Sequence, residues 1–434
     1  MTKSVTMVAW DAAPVRGDGG LAYAVGRLAN QLSSLGVETR ILLPASSAST
    51  EFAGASPLWH PILVTLPDSV RHASRWRQHA EFCRAAHATF ERLADHSSSD
   101  AIVVHSDEGA LFALRQRSRR NSPPLVFWIH SLFDPPLDDL PREDMRLLSS
   151  KSLMASAVSA ADIVVTSAGV MKDASEFEWP TGMRELQEAL LLADTNRRLL
   201  TVESTGCLPE SSEAVRTPLS SLRGMAELTG SSYVLFPARP SVDKGLALFA
   251  AIAEGLRKDH IDCVAMRRPS WTTRLEEPFS RLPLKWLPWL AQDELLQAMR
   301  GAACIVMPSI TEGFGLATAE SVFQGITTLY QPVGGQHALQ VFPNARAVSL
   351  TTEDRAKLYQ VWVDLSTNST DRWRTWHRHE QSLRPLIERW VQAIRATVLG
   401  GEQTREPHEH CPEPAAEYRW GNRFLRFLDD RPGC

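Results

Sequence analysis

The chain has 434 residues, more than one hydrophobic core ordinarily supports, so two domains are expected. Hydrophobic residues make up 44% and charged residues 22%, a globular balance that excludes a disordered or fibrous protein. The formal net charge of −4 gives no global attraction to nucleic acid or to an anionic membrane, and neither is expected as a partner.

The six cysteines (Cys83, Cys207, Cys263, Cys304, Cys411 and Cys434) are scattered without CxxC spacing and read as reduced thiols, not as a disulfide framework. MTKS leads straight into the strand-like run VTMVAW without a signal-peptide core, and no stretch approaches the roughly 18 apolar residues of a spanning helix. A cytoplasmic location is the expectation.

Residues 5–10, VTMVAW, predict a first strand, followed by a glycine loop and a helix with apolar positions Leu21, Ala24, Val25, Leu28, Leu32 and Leu35. Steps of three and four place these on one stripe facing a sheet. Gly36 stops the helix and ETRILLP supplies a second strand. AIVVHS (101–106), LVFWIH (125–130) and DIVVTS (162–167) continue the series with helical stretches between them. Such alternation is the pattern of βαβ units on a parallel sheet. From about 173 to 230 the pattern loosens, which reads as the end of one domain and a hinge. A second series of the same style begins with SYVLFPA (232–238) and runs through KGLALFAAIAEGL, IDCVAM, KWLPWL and ACIVMPS. The expected division is 1–228, 229–400, and a polar tail over 401–434 that ends in a docked helix, YRWGNRFLRFLDD.

Several loops carry chemistry. RGDGG (16–20) lies between a strand and a helix, where bare backbone N–H groups and the helix dipole can receive a phosphate; an ordinary turn is the equal alternative. Gly17, Gly19 and Ala22 also fit G-x-G-x-x-A, but the second strand ends Leu43-Pro44-Ala45-Ser46, without the acidic residue that holds a dinucleotide ribose. His130, with Asp134 after it, and His105, with Asp107 and Glu108 after it, follow parallel strands, where ligands of open sheets bind; a buried structural imidazole is the plainer reading of each. Arg239 and Lys244 stand five positions apart after the strand of the second series, a spacing that lets two cations meet one diphosphate. In PSITEGFGLATAE, Glu312 and Glu320 bracket Gly313-Phe314-Gly315-Leu316; both glutamates read equally as surface ion-pair partners.

VLFPARPSVDKGL and PSITEGFGLATAESVFQG together resemble the strand–Arg–loop–Lys-Gly element and the E-x7-E signature of the retaining family 4 glycosyltransferases. That family includes glycogen synthases, sucrose synthases and the mycothiol-pathway transferase. PLVFWIHS, ADIVVTSAG and RGDGGLAYAVGRLANQLSSLGVETRILLP are similar to further family segments, in the right order between residue 5 and about 335. The resemblance implies the GT-B fold: two Rossmann-like doubly wound α/β domains of parallel sheets facing a central cleft, with the acceptor on the first domain and the donor on the second.

By the same resemblance, Arg239 and Lys244 would bind the donor diphosphate and Glu312 the sugar hydroxyls. Gly313, Phe314, Gly315 and Leu316 would contact sugar and phosphate through their backbone, and Glu320 would bind the ribose. Gly19 and Gly20 would approach the diphosphate. His130 would line the reacting face of the sugar, and His105, Asp107, His130 and Asp134 would form the acceptor side. His130, Glu312, Arg239 and Lys244 form the catalytic set. The donor would be a UDP- or GDP-linked sugar; the chain's divergent first-domain loops and its departures from the family pattern, and not the resemblance, point to a small acceptor of specialised, natural-product type. The family uses no metal and needs no cofactor beyond that co-substrate, and no metal ligands are assigned here.

The chain departs from the family pattern at Ser204-Thr205-Gly206-Cys207, Arg267-Arg268-Pro269 and Thr327, and lacks the Glu frequent after Gly334-Gly335. Three rival readings are an inactive sugar-nucleotide-binding paralogue, an NAD-dependent oxidoreductase on the glycine loop alone, and, closer to the main reading, a phosphorylase or synthase acting on a disaccharide on the same fold. RQRSRR (115–120) with Arg71, Arg75 and Arg77 reads as a solvated face and not a membrane contact, and His408, His410 and Cys411 as part of a disordered tail.

Overall fold

The computed structural model describes residues 3–13, 15, 20–45, 58–70, 73, 75–94, 99–118, 122–130, 143–179, 183–203, 233–267, 282–290, 292–367, 372–400 and 419–429. The chain divides into two compact units. The first takes Met1–Leu132, Arg146–Pro209 and Pro414–Cys434, and the second Phe133–Met145 and Glu210–Glu413.

The first unit is built on a seven-stranded sheet in the order β3-β2-β1-β4-β5-β6-β7. Its strands are β1 (Ser4–Val8), β2 (Glu38–Pro44), β3 (His60–Val64), β4 (Ala101–His105), β5 (Leu125–Trp128), β6 (Ile163–Ser167) and β7 (Leu199–Val202). All pairings are parallel. Ile102, Val103, Val104, Val126, Phe127, Val164 and Val165 are fully buried, because a parallel sheet covered on both faces calls for continuous apolar runs and not alternation.

Helix α1 (Gly20–Ser34) lays Ala22, Ala24, Val25, Leu28, Ala29 and Leu32 into the core. Leu21 and Leu35, at the ends of the predicted stripe, stay partly exposed. Gly36 ends this segment with φ +80, the left-handed conformation that a side chain resists. Further helices are α2 (Arg75–Ala94), α3 (Ala110–Arg117), α4 (Glu143–Ala160), α5 (Ala168–Glu176) and α6 (Arg184–Thr195). Within the stretch that reads as a loosened hinge, α6 and β7 are regular elements. β7 is an edge strand whose alternate residues are only half-buried, so it lacks the apolar run that marks β4 to β6.

The second unit has a six-stranded parallel sheet in the order β10-β9-β8-β11-β12-β13. The strands are β8 (Tyr233–Phe236), β9 (Asp262–Met266), β10 (Lys285–Leu287), β11 (Cys304–Met307), β12 (Thr328–Tyr330) and β13 (Ala345–Ala347). Helices α7 (Leu246–Leu256), α8 (Gln292–Gly301), α9 (Leu316–Phe323), α10 (Thr352–Thr367), α11 (Arg372–Glu380) and α12 (Arg384–Leu399) accompany it. α12 packs closely on α7: a Cβ at Gly255 would lie 2.6 Å from Val391 Cγ2.

The last helix, α13 (Trp420–Asp429), belongs to the first unit and packs on α1 and β7. Trp420 and Phe424, four apart on one face, are fully buried. The Trp420 indole donates to the Glu203 carbonyl at 2.6 Å, Gly421 N donates to Gln31 Oε1 at 3.0 Å, and Lys3 pairs with Asp429.

Each sheet has one place where consecutive strands diverge, between β1 and β4 in the first unit and between β8 and β11 in the second. Connections leave in opposite directions there, opening a crevice at the carboxyl ends of the strands where ligands of such sheets bind.

Candidate active site

In the second unit, β8 runs into the loop that carries Arg239, Asp243 and Lys244, and β11 into the loop that carries Ser309 and Glu312. The sequence pattern thus brings two separate segments to one divergence point. Lys244 Nζ is 3.0 Å from Glu312 Oε2 and 3.4 Å from Asp243 Oδ2, and Arg239 Nη2 is 3.8 Å from Asp243 Oδ2. Ser309 Oγ donates to Glu312 Oε1 at 2.8 Å, so both oxygens of that carboxylate are held. Burial alone would lower the Lys244 pKa, but the neighbouring Glu312 and Asp243 carboxylates outweigh it and raise the ammonium above its ordinary value.

Asp243 is absent from the sequence-based site. It is fully buried, and its carboxylate oxygens have the two cations beside them but no hydrogen bond. Its backbone oxygen accepts from Ile310 N at 2.8 Å and from Thr311 N at 3.3 Å, which ties the two loops together. The only sign in the sequence was an acid between Arg239 and Lys244, which reads as an ordinary loop charge until its burial is seen.

Glycine permits this close approach. Gly245 has φ +77, and a Cβ on it would lie 1.9 Å from the Pro308 carbonyl oxygen. Gly334, after β12, has φ +50, and its Cβ would lie 1.7 Å from the Glu312 carbonyl oxygen. Gly335 N donates to Gly313 O at 2.8 Å, and Gln336 Nε2 donates to Thr318 Oγ1 at 2.6 Å. The glycine pair after β12 therefore braces the loop that holds Glu312. Gly313 and Phe314 lie buried in that loop, Gly315 precedes α9, and Leu316 opens the helix. Glu320, half-buried, sits one turn further along the helix on the same side as Leu316.

In the first unit, β4 ends at His105, and His130 lies two residues beyond β5. Adjacent parallel strands bring them together, with His105 Nδ1 2.7 Å from His130 Nε2. Burial pushes His105 down to about 3, and burial together with His105 holds His130 well below the usual histidine value. Both rings are neutral at physiological pH. Trp128 stacks beside both, with ring centroids 5.9 Å from His105 and 5.8 Å from His130. Trp420 approaches Trp128 at 5.3 Å and His130 at 6.2 Å. The part played by Trp420 was not legible from local sequence, because it arrives from the far end of the chain.

Asp107 opens a short 3-10 turn after β4, and Gly20 is the first residue of α1. Gly19, Asp134 and the tail residues His408, His410 and Cys411 lie outside the described residues. Cys83, Cys263 and Cys304 are free and buried. Among the described residues no group of three or more His, Cys, Asp or Glu could hold a metal ion, and no helix is long and apolar enough to cross a membrane.

Residues 19–182 match the family model described as a glycosyl transferase 4-like domain. Solved structures of similar fold include sucrose-phosphate synthase from Thermosynechococcus elongatus, at 15% identity and a TM-score of 0.58 over 92% of this chain and 100% of that one. The catalytic domain of starch synthase IV from Arabidopsis thaliana, bound to ADP and acarbose, gives 14% identity and a TM-score of 0.60 over 92% and 100%. An α,α-trehalose 6-phosphate synthase from Burkholderia multivorans gives 15% and 0.53 over 92% and 97%. No curated protein sequence matches. These likenesses and the two parallel sheets define a two-domain, Rossmann-like GT-B fold. Over residues 19–182 the chain is similar to a glycosyl transferase 4-like domain.

Proposed function

We propose that this chain is a retaining glycosyltransferase that moves a sugar from a UDP- or GDP-linked donor to a small acceptor, without a metal and in the cytoplasm. The observation that carries the reading is the meeting of Arg239, Lys244 and Glu312 at the divergence of β8 and β11. Two cations on a fixed scaffold suit a diphosphate leaving group, and a carboxylate braced by Ser309 suits sugar hydroxyls. In this reading Glu320 on α9 binds the ribose. The match of residues 19–182 to a glycosyl transferase 4-like domain, and the sucrose-phosphate and starch synthases among structures of similar fold, the latter bound to ADP and acarbose, support the same assignment.

In this reading the bond between the anomeric carbon and the diphosphate oxygen breaks, and negative charge gathers on the diphosphate beside Arg239 and Lys244. The acceptor atom bonds to the anomeric carbon on the same face and passes its proton to the departing diphosphate oxygen. Glu312 holds the sugar in this scheme and is not its nucleophile, so the two-carboxylate logic of retaining hydrolases does not apply. His130 lines the sugar's reacting face, and His105, Asp107 and Asp134 contribute to the acceptor side. The departures at Ser204–Cys207 and Arg267–Pro269 lead us to a specialised, natural-product acceptor over a polysaccharide.

A thermal-shift panel of UDP, GDP, ADP, TDP and NAD, with and without Mg²⁺, tests the reading. A ligand at a hundred times its dissociation constant adds about 2.7 kcal/mol, a shift of several degrees. Stabilisation by one nucleoside diphosphate without metal is expected; stabilisation by NAD alone would overturn the assignment.

A further inference from the structure

Glu312 is held by contacts that reach beyond its own loop. Ser309, the second residue after β11, is fully buried and donates from Oγ to Glu312 Oε1 at 2.8 Å. The direction of this bond is fixed, because an ionised carboxylate only accepts. The other oxygen, Oε2, meets Lys244 Nζ at 3.0 Å. In the proposed reaction Lys244 serves the diphosphate, and the Ser309 contact is the one that does not depend on where the lysine turns.

Gln331 supports Ser309 in turn. It follows β12 directly and is fully buried, and its backbone N–H donates to Met307 O at 3.1 Å. Its side chain meets two groups, the Ser309 carbonyl at 2.8 Å and the indole nitrogen of Trp390 on α12 at 3.3 Å. A carbonyl only accepts and an indole N–H only donates. The amide therefore turns Nε2 to Ser309 O and Oε1 to Trp390 Nε1, and both of its ends are matched. Trp390 is fully buried, as are Leu386 and Ile394 one turn to either side, so the far anchor is fixed by packing. Asparagine would fall a methylene short of this span, and an ionised glutamate could not donate to the carbonyl.

We propose that Ser309 and Gln331 are positioning residues: Gln331, anchored on Trp390, fixes the Ser309 backbone, and the Ser309 hydroxyl sets the Glu312 carboxylate for the donor sugar. The inference rests on the reading of Glu312 as the group that binds sugar hydroxyls. It gives β12 and α12 a share in holding the sugar, separate from the diphosphate contacts of Arg239 and Lys244. A carboxylate fixed before the ligand arrives loses less freedom on binding it.

Calorimetric titration of the full chain with UDP, GDP, UDP-glucose, UDP-N-acetylglucosamine and GDP-mannose separates the sugar's contribution from the nucleotide's. Ser309→Ala and Gln331→Met should each weaken the preferred nucleotide sugar about tenfold and leave the affinity for its bare nucleotide unchanged. In a Glu312→Ala background neither substitution should cost anything further, because the group they position is gone. Equal losses for nucleotide and nucleotide sugar, or a loss that persists without Glu312, would overturn the proposal. Should Gln331→Met fail to fold, Trp390→Phe keeps a ring, removes the anchoring donor and should show the same selective loss; an unselective one counts against Gln331. If no nucleotide sugar binds wild type better than its nucleotide, the reading of Glu312 as the sugar's holder falls. The positioning contact is then decided by melting temperatures, where Ser309→Ala and Glu312→Ala are expected to be non-additive and simple addition refutes it.

Discussion

Lys244 Nζ lies 3.0 Å from Glu312 Oε2, across 68 positions of sequence, and the contact joins the two loops that leave β8 and β11. Each charge is the main partner of the other in a largely buried place, so removing one leaves the other exposed to its desolvation cost. Lys244→Ala and Glu312→Ala should each lower turnover by about a hundredfold to a thousandfold, the scale of losing one preorganised charged contact. Steady-state rates on donor and acceptor, with melting curves alongside, check this. Near-wild-type turnover in both variants would remove the basis of the assignment.

Asp243 sets the charge balance of the same site. Arg239 and Lys244 are matched by Asp243 and Glu312, so the cluster is neutral before a phosphate arrives. Asp243→Asn keeps the shape, leaves one net positive charge and should tighten nucleoside diphosphate binding about tenfold, since roughly 1.4 kcal/mol is a modest share of a unit-charge interaction at this range. Turnover should fall as product leaves more slowly. Calorimetric titration with UDP and GDP gives the answer; weaker binding in the Asn variant would show that Asp243 positions the cations and does not oppose the ligand.

Much of this was legible before the fold was known. The strands β1, β2, β4 to β6, β8, β9 and β11 announced themselves as apolar runs because both faces of a parallel sheet are covered. Arg239, Lys244 and Glu312 were singled out because they follow strands, and the structure brings them into one cluster. β3, β7, β12 and β13 were missed: β7, β12 and β13 have only three or four residues and carry no period, and β3 is an edge strand that is mostly not buried and so lacks the apolar run. Asp243 and the pairing of His105 with His130 depend on burial and on strand adjacency, neither of which is written in local sequence. Trp420 depends on a return of the chain's far end to the first unit, a tertiary fact.

Two left-handed glycines separate backbone strain from crowding. Gly36 has φ +80 and open space within 4 Å of where a Cβ would stand, whereas Gly245 has φ +77 and the Pro308 oxygen 1.9 Å from that position. Gly36→Ala should therefore cost about 1–2 kcal/mol, the left-handed penalty alone. Gly245→Ala should cost more than that and also weaken nucleotide binding, because the loops carrying Lys244 and Glu312 must part. Urea unfolding of the two variants measures the difference, and equal midpoints would mean that the loop yields without cost.

Trp420 should contribute to stability out of proportion to its place near the chain's end. It is fully buried against Trp128, and its indole supplies a donor to Glu203 O. Trp420→Ala removes a large side chain and the donor to that carbonyl, for an expected loss of about 3–5 kcal/mol. Trp420→Phe fills most of the space without the donor and should recover the larger part. Thermal melts that place both variants within a degree of wild type would show that α13 is dispensable to the first unit.

The two buried histidines make a signed prediction for acid. Their folded pKa values lie below the unfolded value of about 6.5, so below that pH the unfolded chain binds more protons than the native one. The stabilisation is complete above about pH 6.5 and drains away as pH falls toward 3, by up to about 1.4 kcal/mol per pH unit for each histidine. The histidine contribution is read between about pH 6.5 and 5, above the ordinary carboxylate range of about 4. Replacing His105 by Asn removes one of the two groups and should flatten the slope in that window by about half. Urea midpoints at half-unit pH steps, for wild type and His105→Asn, give the comparison; identical slopes would mean that His105 gains its proton without unfolding the site around it.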